Sequence, residues 1–386
     1  MKRFASTLAF SMLISVLTVG FFIQPAMTHA LSSPQSKCGT WNVIPSPSPG
    51  SQSVLDGVSA ISQSDIWAAG YTDNQTLTEH WDGASWNVVS SPNDGDQSYL
   101  DAVTAISTSD VWAVGDNGTQ ALTEHWDGSS WSVVASPFQG SSSMLLAVAK
   151  IPGGNNVWAV GHYVDNNGID QTLIEQWDGS NWNIIASPSP DPQGNDLLGV
   201  VALSANDAWA VGTAANNKGL YQTLTEHWDG TSWSVVASPN VMKNGVFWAV
   251  AAIPSSSNVW AVGTYGKAKS GLARTLTAQW NGTGWIRVGS PNVDKQNTTF
   301  FGVASVSATS AWGVGLSYDN SGNNKALTEH WNGSSWKVVS SPNVEGDSIL
   351  TGVTTVPASN MLWAVGVSYA PTGGSQTVTE SYCSKK

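Results

Sequence analysis

The sequence predicts an all-β protein: a seven-bladed β-propeller of four-stranded antiparallel blades, its ring closed by an N-terminal strand that completes the last blade. Three observations carry this. A segment VWAVG, or a near copy, occurs seven times, with Trp67, Trp112, Trp158, Trp209, Trp260, Trp312 and Trp363. A second segment, TEHWDGxSWxVV or a near copy, occurs six times. Its first Trp is Trp81, Trp126, Trp177, Trp228, Trp280 or Trp331, and its second is Trp86, Trp131, Trp182, Trp233, Trp285 or Trp336. Trp41 is an orphan copy of that second Trp, so 20 of the 21 tryptophans hold repeat positions and only Trp248 is left over. Successive VWAVG tryptophans lie 45 to 52 residues apart, a period suited to a propeller blade.

Each unit holds four short segments rich in Val, Ile, Thr and Trp and bounded by Gly, Asn, Ser and Pro, the chemistry of strands. In the first unit they are Leu55–Ile61, Ile66–Tyr71, Thr76–Trp81 and Ser85–Ser90, here strands A to D. Asp-Gly after Trp81, and Asn-Gly after Trp280 and Trp331, signal hairpins between C and D. No segment sustains a helical period. The chain opens with a lone D strand at Trp41, and its last unit stops after strand C at Tyr382. The two ends therefore add up to one blade.

The two cysteines fall at that seam. Aligning Tyr382 with Trp81 puts Cys383 at the position of Asp82, and aligning Trp41 with Trp86 puts Cys38 at that of Gly83. They occupy neighbouring places in the one C–D turn that the chain break interrupts, which predicts a Cys38–Cys383 disulfide. A loop of that length has a chain-entropy upper bound of roughly 5–6 kcal/mol.

Residues 1–30 read as a secretory signal: Lys2 and Arg3, an apolar stretch from Phe4 to about Ile23, and Thr28-His29-Ala30 as a small-residue cleavage site. The alternative is an uncleaved anchor helix. Residues 31–386 form the single propeller domain, expected to be secreted, monomeric and free of the membrane after cleavage. Losing Lys2 and Arg3 moves the net charge from −12 to −14. With no basic stripe to offset it, such a field repels a phosphate backbone, so nucleic acid is not expected as a partner. With 41% hydrophobic residues, disorder is excluded as well.

VWAVG followed by EHWDGxSW resembles the kelch repeat of kelch-like and galactose-oxidase-like propellers, over essentially the whole mature chain. One Gly per unit, such as Gly70 or Gly115, replaces the kelch Gly-Gly pair, so the resemblance is to a divergent relative. It implies the fold. It does not bring the copper chemistry of galactose oxidase, because both cysteines are committed to ring closure and no ligand set transfers. No metal or cofactor is expected.

Repeated residues read as structural and unrepeated ones as candidates for a site. Six of the seven Glu share one position, Glu79, Glu124, Glu175, Glu226, Glu329 and Glu380, where the fifth unit has Ala278. They are expected to be half-buried and to accept hydrogen bonds from backbone or indole N–H groups. His80, His125, His227 and His330 follow four of them and are expected to pack within blades. The length variation lies almost wholly between strands B and C. From the VWAVG Trp to the strand C aromatic it is 14 residues in the first two units, and 19 or 20 in the rest. Topology puts B–C hairpins and D–A connections on one face, which therefore has a notch over blades 1 and 2.

Strand A starts at that face beside the central channel. Its most variable position reads Asp56, Asp101, Leu146, Leu198, Trp248, Phe301 and Thr351 around the ring. Asp56 and Asp101 opposite Trp248 and Phe301 form a candidate ligand site, suited to sugar, to a cation, or to paired-carboxylate hydrolysis; the residues can equally serve to fill a channel mouth. His162, Tyr163, Asp165, Tyr265, Lys267, Arg274, Tyr318 and Asp319 lie on the long-loop rim, and Asp165 to Asp170 faintly resembles a calcium loop. No nucleophile–base pair or phosphate loop is apparent. The leading expectation is a non-enzymatic scaffold that binds carbohydrate or protein on the B–C/D–A face, with a carbohydrate-active enzyme using Asp56 and Asp101, and a purely structural protein, as alternatives.

Overall fold

The computed structural model describes residues 38–239, 243–266, 272–293, 297–344, 346–371 and 373–384. The expected signal segment 1–30 and Lys267 lie outside them. Seven four-stranded antiparallel sheets follow one another along the chain, each ordered A-B-C-D. In blade 1 the strands are Ser53–Ser62, Asp65–Thr72, Gln75–Trp81 and Trp86–Val89. Strand A runs longer than its sequence signal because its first residues pair with the extended end of strand B.

The seam closes as expected. Trp41–Val43 is the outer strand of the last blade, with Trp41 opposite Tyr382 in the register that sets Trp81 opposite Trp86 elsewhere. Cys38 and Cys383 are disulfide-bonded, and Gly39 N–H donates to the Cys383 carbonyl. In an intact turn the same place is held by Asp82, whose Oδ1 accepts the amides of Ala84 and Ser85 at 2.8 and 2.9 Å.

Tryptophan joins blade to blade. Strand B is buried on both faces: Ile66 and Ala68 face the last blade, Trp67 and Ala69 the second. Trp67 meets Trp126 and Trp131 of blade 2 at ring-centroid distances of 4.9 and 5.3 Å. Trp363 of blade 7 meets Trp81 and Trp86 of blade 1 at the same two distances. Trp312 reaches Tyr382 and Trp41, from opposite chain ends, at 4.4 and 5.5 Å. The repeated histidines pack within blades: His80 lies on Trp67 at 4.5 Å, with Nε2 2.9 Å from Asp65.

The repeated glutamates are fully buried, deeper than the half-burial expected. Burial pushes the carboxyls of Glu79, Glu124, Glu226, Glu329 and Glu380 up to about 8, and that of Glu175 to about 7. For three of them the donor is a hydroxyl of the preceding blade and not the expected indole. Ser136 donates to Glu175, Ser187 to Glu226 and Ser341 to Glu380, at 2.7 to 3.0 Å. A neutral carboxyl bridged to a hydroxyl is the form such a dry interface tolerates.

Candidate functional site

In every blade the register of strand A against strand B slips at one shared position toward the channel mouth: Asp56, Asp101, Leu146, Leu198, Trp248, Phe301 and Thr351. These are the seven positions that the sequence singles out as variable. A bulge frees one residue from the ladder and re-aims its side chain. The residue before each is fully buried: Leu55, Leu100, Leu145, Leu197, Phe247, Phe300 and Leu350. The VWAVG glycine opposite it is required by the bulge, since a Cβ on Gly70 would run into the carbonyl oxygen of Val54, and one on Gly115 into that of Tyr99.

The bulge residues differ in what they offer. Asp56 and Asp101 are half-buried, in blades 1 and 2. Trp248 and Phe301, in blades 5 and 6 across the ring, touch edge to face with centroids 5.6 Å apart and an interplanar angle of 69°. Thr351 is turned inward; its hydroxyl is 2.7 Å from the Leu55 carbonyl oxygen and 3.2 Å from that of Val365. Leu198 is buried.

Strand B adds Tyr71 and Tyr369, which sequence reasoning did not assign, and brings the rim residue Tyr318 to them. Tyr71, Tyr318 and Tyr369 gather with Phe301 around a small apolar cluster of Val54, Leu316, Ile349 and Val367. Tyr71 meets Tyr99 of blade 2 at 5.1 Å, edge to face. Half-buried aromatic side chains therefore line the face from blade 5 round to blade 2. Burial, with the charge of Asp56 adding to it, raises the Tyr369 phenol to about 12. The signal in the sequence was the residue pattern after each VWAVG glycine, which varies as much as the bulge position does.

The rim residues separate. The B–C hairpins close in two to six residues: Asp73–Asn74 in blade 1, Asp165–Ile169 in blade 3 and Asp319–Asn323 in blade 6. Oδ1 of Asp165 accepts the amides of Asn167 and Ile169 at 2.8 and 3.1 Å, and Oδ1 of Asp319 those of Ser321 and Asn323. Both carboxyls are held below their ordinary range, chiefly by these amides. The likeness of residues 165 to 170 to a calcium loop is thus a hairpin closure, and no group of three or more potential metal-binding side chains occurs among the described residues. Tyr265 is buried under Arg287, whose guanidinium lies 4.9 Å from its ring centroid and donates to its hydroxyl at 3.0 Å. His162 is buried at the junction with blade 4, Nδ1 3.0 Å from Asp196 Oδ1.

No family model matches the chain, and no curated protein matches it. Solved structures do. The structure of YCF48 bound to D1 peptide aligns with a TM-score of 0.56 at 15% identity, covering 92% of this chain and 98% of that one. An ulvan lyase of a polysaccharide lyase family, bound to -[GlcA(1-4)Rha3S]-, aligns at 0.54 and 8% identity over 89% and 94%. A protein of unknown function from Dyadobacter fermentans aligns at 0.52 and 10% over 91% and 100%. The chain is thus a seven-bladed β-propeller in fold class. The disulfide and the lack, among the described residues, of a helix long and apolar enough to cross a membrane are compatible with an exported protein.

Proposed function

We propose that residues 31–386, after loss of a signal peptide at 1–30, form a secreted binding module that seats a carbohydrate on the B–C/D–A face. The observation that carries this is the arc of half-buried aromatic side chains, Trp248, Phe301, Tyr318, Tyr369, Tyr71 and Tyr99, which runs from blades 5 and 6, across the ring from Asp56 and Asp101, round to the blades that carry those two carboxylates. Aromatic faces cover the apolar C–H surface of a sugar ring, and a few carboxylates fix its hydroxyls. That a propeller of similar shape holds a polysaccharide fragment supports the reading; that another holds a peptide leaves a protein ligand as its competitor. A second reading is a carbohydrate-active enzyme using Asp56 and Asp101, with the Tyr369 phenol within range of the charge of Asp56. Kinship with kelch-like repeats is proposed on VWAVG and EHWDGxSW alone.

The test is a binding screen of the mature protein against soluble polysaccharides, with Trp248→Ala and Asp56→Asn/Asp101→Asn in parallel. Wild type should bind at least one glycan, Trp248→Ala should lose at least tenfold in affinity, and the double variant more. Product analysis of the bound glycan separates lectin from enzyme. Undiminished binding by both variants, or no glycan bound at all, overturns the proposal.

A further inference from the structure

At each blade junction on this face, the residue after the VWAVG glycine, on strand B of one blade, lies opposite the residue two before the bulge on strand A of the next. Contacts place Tyr71 with Tyr99, His162 with Asp196, Thr264 with Thr299, Leu316 with Ile349, and Val367 with Val54, and the repeat register assigns Asp116 with Met144 and Thr213 with Val246 to the other two junctions. Five of these pairs have no charged member. At the junction of blades 3 and 4 the slot instead holds a histidine and a carboxylate, with side chains 8% and 15% exposed and nitrogen and oxygen 3.0 Å apart.

Stability does not account for that choice. Taking two charged groups out of water costs about as much as their attraction returns, and apolar replacements are often as stable or more so. The same fold fills the slot with Leu316 and Ile349 at the junction of blades 6 and 7. The surroundings add polar groups. Asp170, at the end of the blade 3 hairpin, has its Cβ against Gly194, two residues before Asp196. Its charge, with that of Asp196, raises the Tyr221 phenol after burial has done so first. Burial raises the Asp196 carboxyl to about 6, His162 opposes this, and Asp170 adds to it. Asp196 stands two residues from the bulge at Leu198, which is about 7 Å along a strand. A ligand at the channel mouth is therefore within one sugar ring of the pair.

We propose that His162 and Asp196, with Asp170 and Tyr221 beside them, form a polar subsite that reads hydroxyl groups of a neutral sugar. This rests on the carbohydrate reading above and narrows it to glycans without uronate or sulfate. Asp196 accepts from ligand hydroxyls, and His162, whose Nδ1 lies 3.0 Å from Asp196, exchanges a hydrogen bond with the ligand through Nε2. The charge of the face sets the class. Asp56, Asp101, Asp116, Asp170 and Asp196 lie on blades 1 to 4, whereas Lys218 stands on the B–C hairpin of blade 4 and Arg274 and Lys325 near the start of strand C in blades 5 and 6. An anionic sugar at this subsite stands beside the carboxylates of Asp170 and Asp196 and is repelled by them.

The experiment is calorimetric titration of the mature, disulfide-bonded protein. Neutral probes are β-1,3-glucan, mannan and xylan oligosaccharides; acidic probes are oligogalacturonate and alginate oligomers. The proteins are wild type, His162→Gln, Asp196→Asn, the apolar pair His162→Leu/Asp196→Ile, and Trp248→Ala. A neutral probe should bind wild type at least tenfold more tightly than any acidic one. Each single variant should lose at least fivefold, and the apolar pair, which copies the junction of blades 6 and 7 and keeps the wild-type melting temperature or exceeds it, should lose no less. Acidic probes binding as tightly as neutral ones overturn the subsite. So does wild-type affinity in all three junction variants when Trp248→Ala has lost its own, a result that leaves the carbohydrate reading standing. No binding to any probe overturns both.

Discussion

Glu226 shows how one side chain joins two blades while burial favours its neutral form. It is fully buried between strands, takes a hydrogen bond from Ser187 of blade 3 at 2.8 Å, and is pushed by burial to about 8. Each unit of such displacement corresponds to about 1.4 kcal/mol between the protonated and ionised states. Glu226→Gln, which is neutral at every pH, should cost little at pH 5 and should melt higher than wild type at pH 9. A variant that melts lower by the same margin at both values would show that ionisation plays no part. Glu226→Ala should cost about 2–4 kcal/mol in denaturant titration, since it opens a cavity and strands the Ser187 hydroxyl. In blade 5, where the sequence has Ala278, that position is fully buried as alanine. The sequence exposed the Glu series through its repetition, but not the Ser partners, which lie 39 residues away on another blade.

At the scale of the element, the inner strand and its neighbour are built around each other. The bulge lets a variable side chain turn to the channel mouth while a large apolar residue stays in the core. It also brings strand A so close to strand B that only glycine fits opposite. Gly212→Ala would drive its Cβ into the carbonyl oxygen of Asp196. We expect a loss of about 1–3 kcal/mol, read from the urea midpoint, with a weakened His162 subsite as a second consequence. An alanine tolerated without loss at Gly212 would mean that the two strands are not held at this distance. The bulge was not legible in the sequence, where the same seven residues appeared only as the most variable strand position. A bulge is a property of pairing register, and register is set by what packs on both faces. The outer strands show the opposite economy. They are only three or four residues long, and Val88, Val133, Ile184, Val235 and Val338 face solvent there. Short edges of this kind limit pairing with other chains.

For the whole molecule, the six buried glutamates set the direction of pH dependence. Their folded values, about 7 to 8, lie above the ordinary 4.5, so the folded state holds protons that the unfolded chain releases. Their contribution is complete below about pH 4.5 and is lost as pH rises through 7 to 8. The turn aspartates act in the opposite sense. Hydrogen bonds from Ser129 and Ser130 hold Asp127 at about 2, and Thr231 and Ser232 do the same for Asp229, so their contribution is lost as pH falls from 3.8 towards 2. The melting temperature should therefore peak near pH 4 to 5 and fall towards pH 9; a profile flat across that range would count against protonated glutamates at the blade junctions. The seam gives a second whole-molecule prediction. Cys38→Ser/Cys383→Ser should lose about 2–5 kcal/mol, because the outer strand Trp41–Val43, its aromatic contacts and the hydrogen bonds of residues 44–51 to Ser375, Thr377 and Thr379 would then hold the ends together without a covalent link. An unchanged midpoint would mean that those contacts close the ring unaided.

The sequence by itself determined the blade count, the strand order within a blade, the closing strand and the disulfide that locks it. All of these follow from recurrence along the chain, and recurrence needs no knowledge of what touches what. The shorter B–C hairpins of blades 1 and 2 followed as well, because loop length is counted directly. Only the tertiary structure decided which side chains share a junction: the serine hydroxyl on each of three glutamates, the aromatic arc from Trp248 to Tyr99, and His162 against Asp196. These partners come from different blades, and each contact depends on the angle at which neighbouring sheets pack and on the register of an inner-strand bulge, neither of which is written in the spacing of residues along one chain.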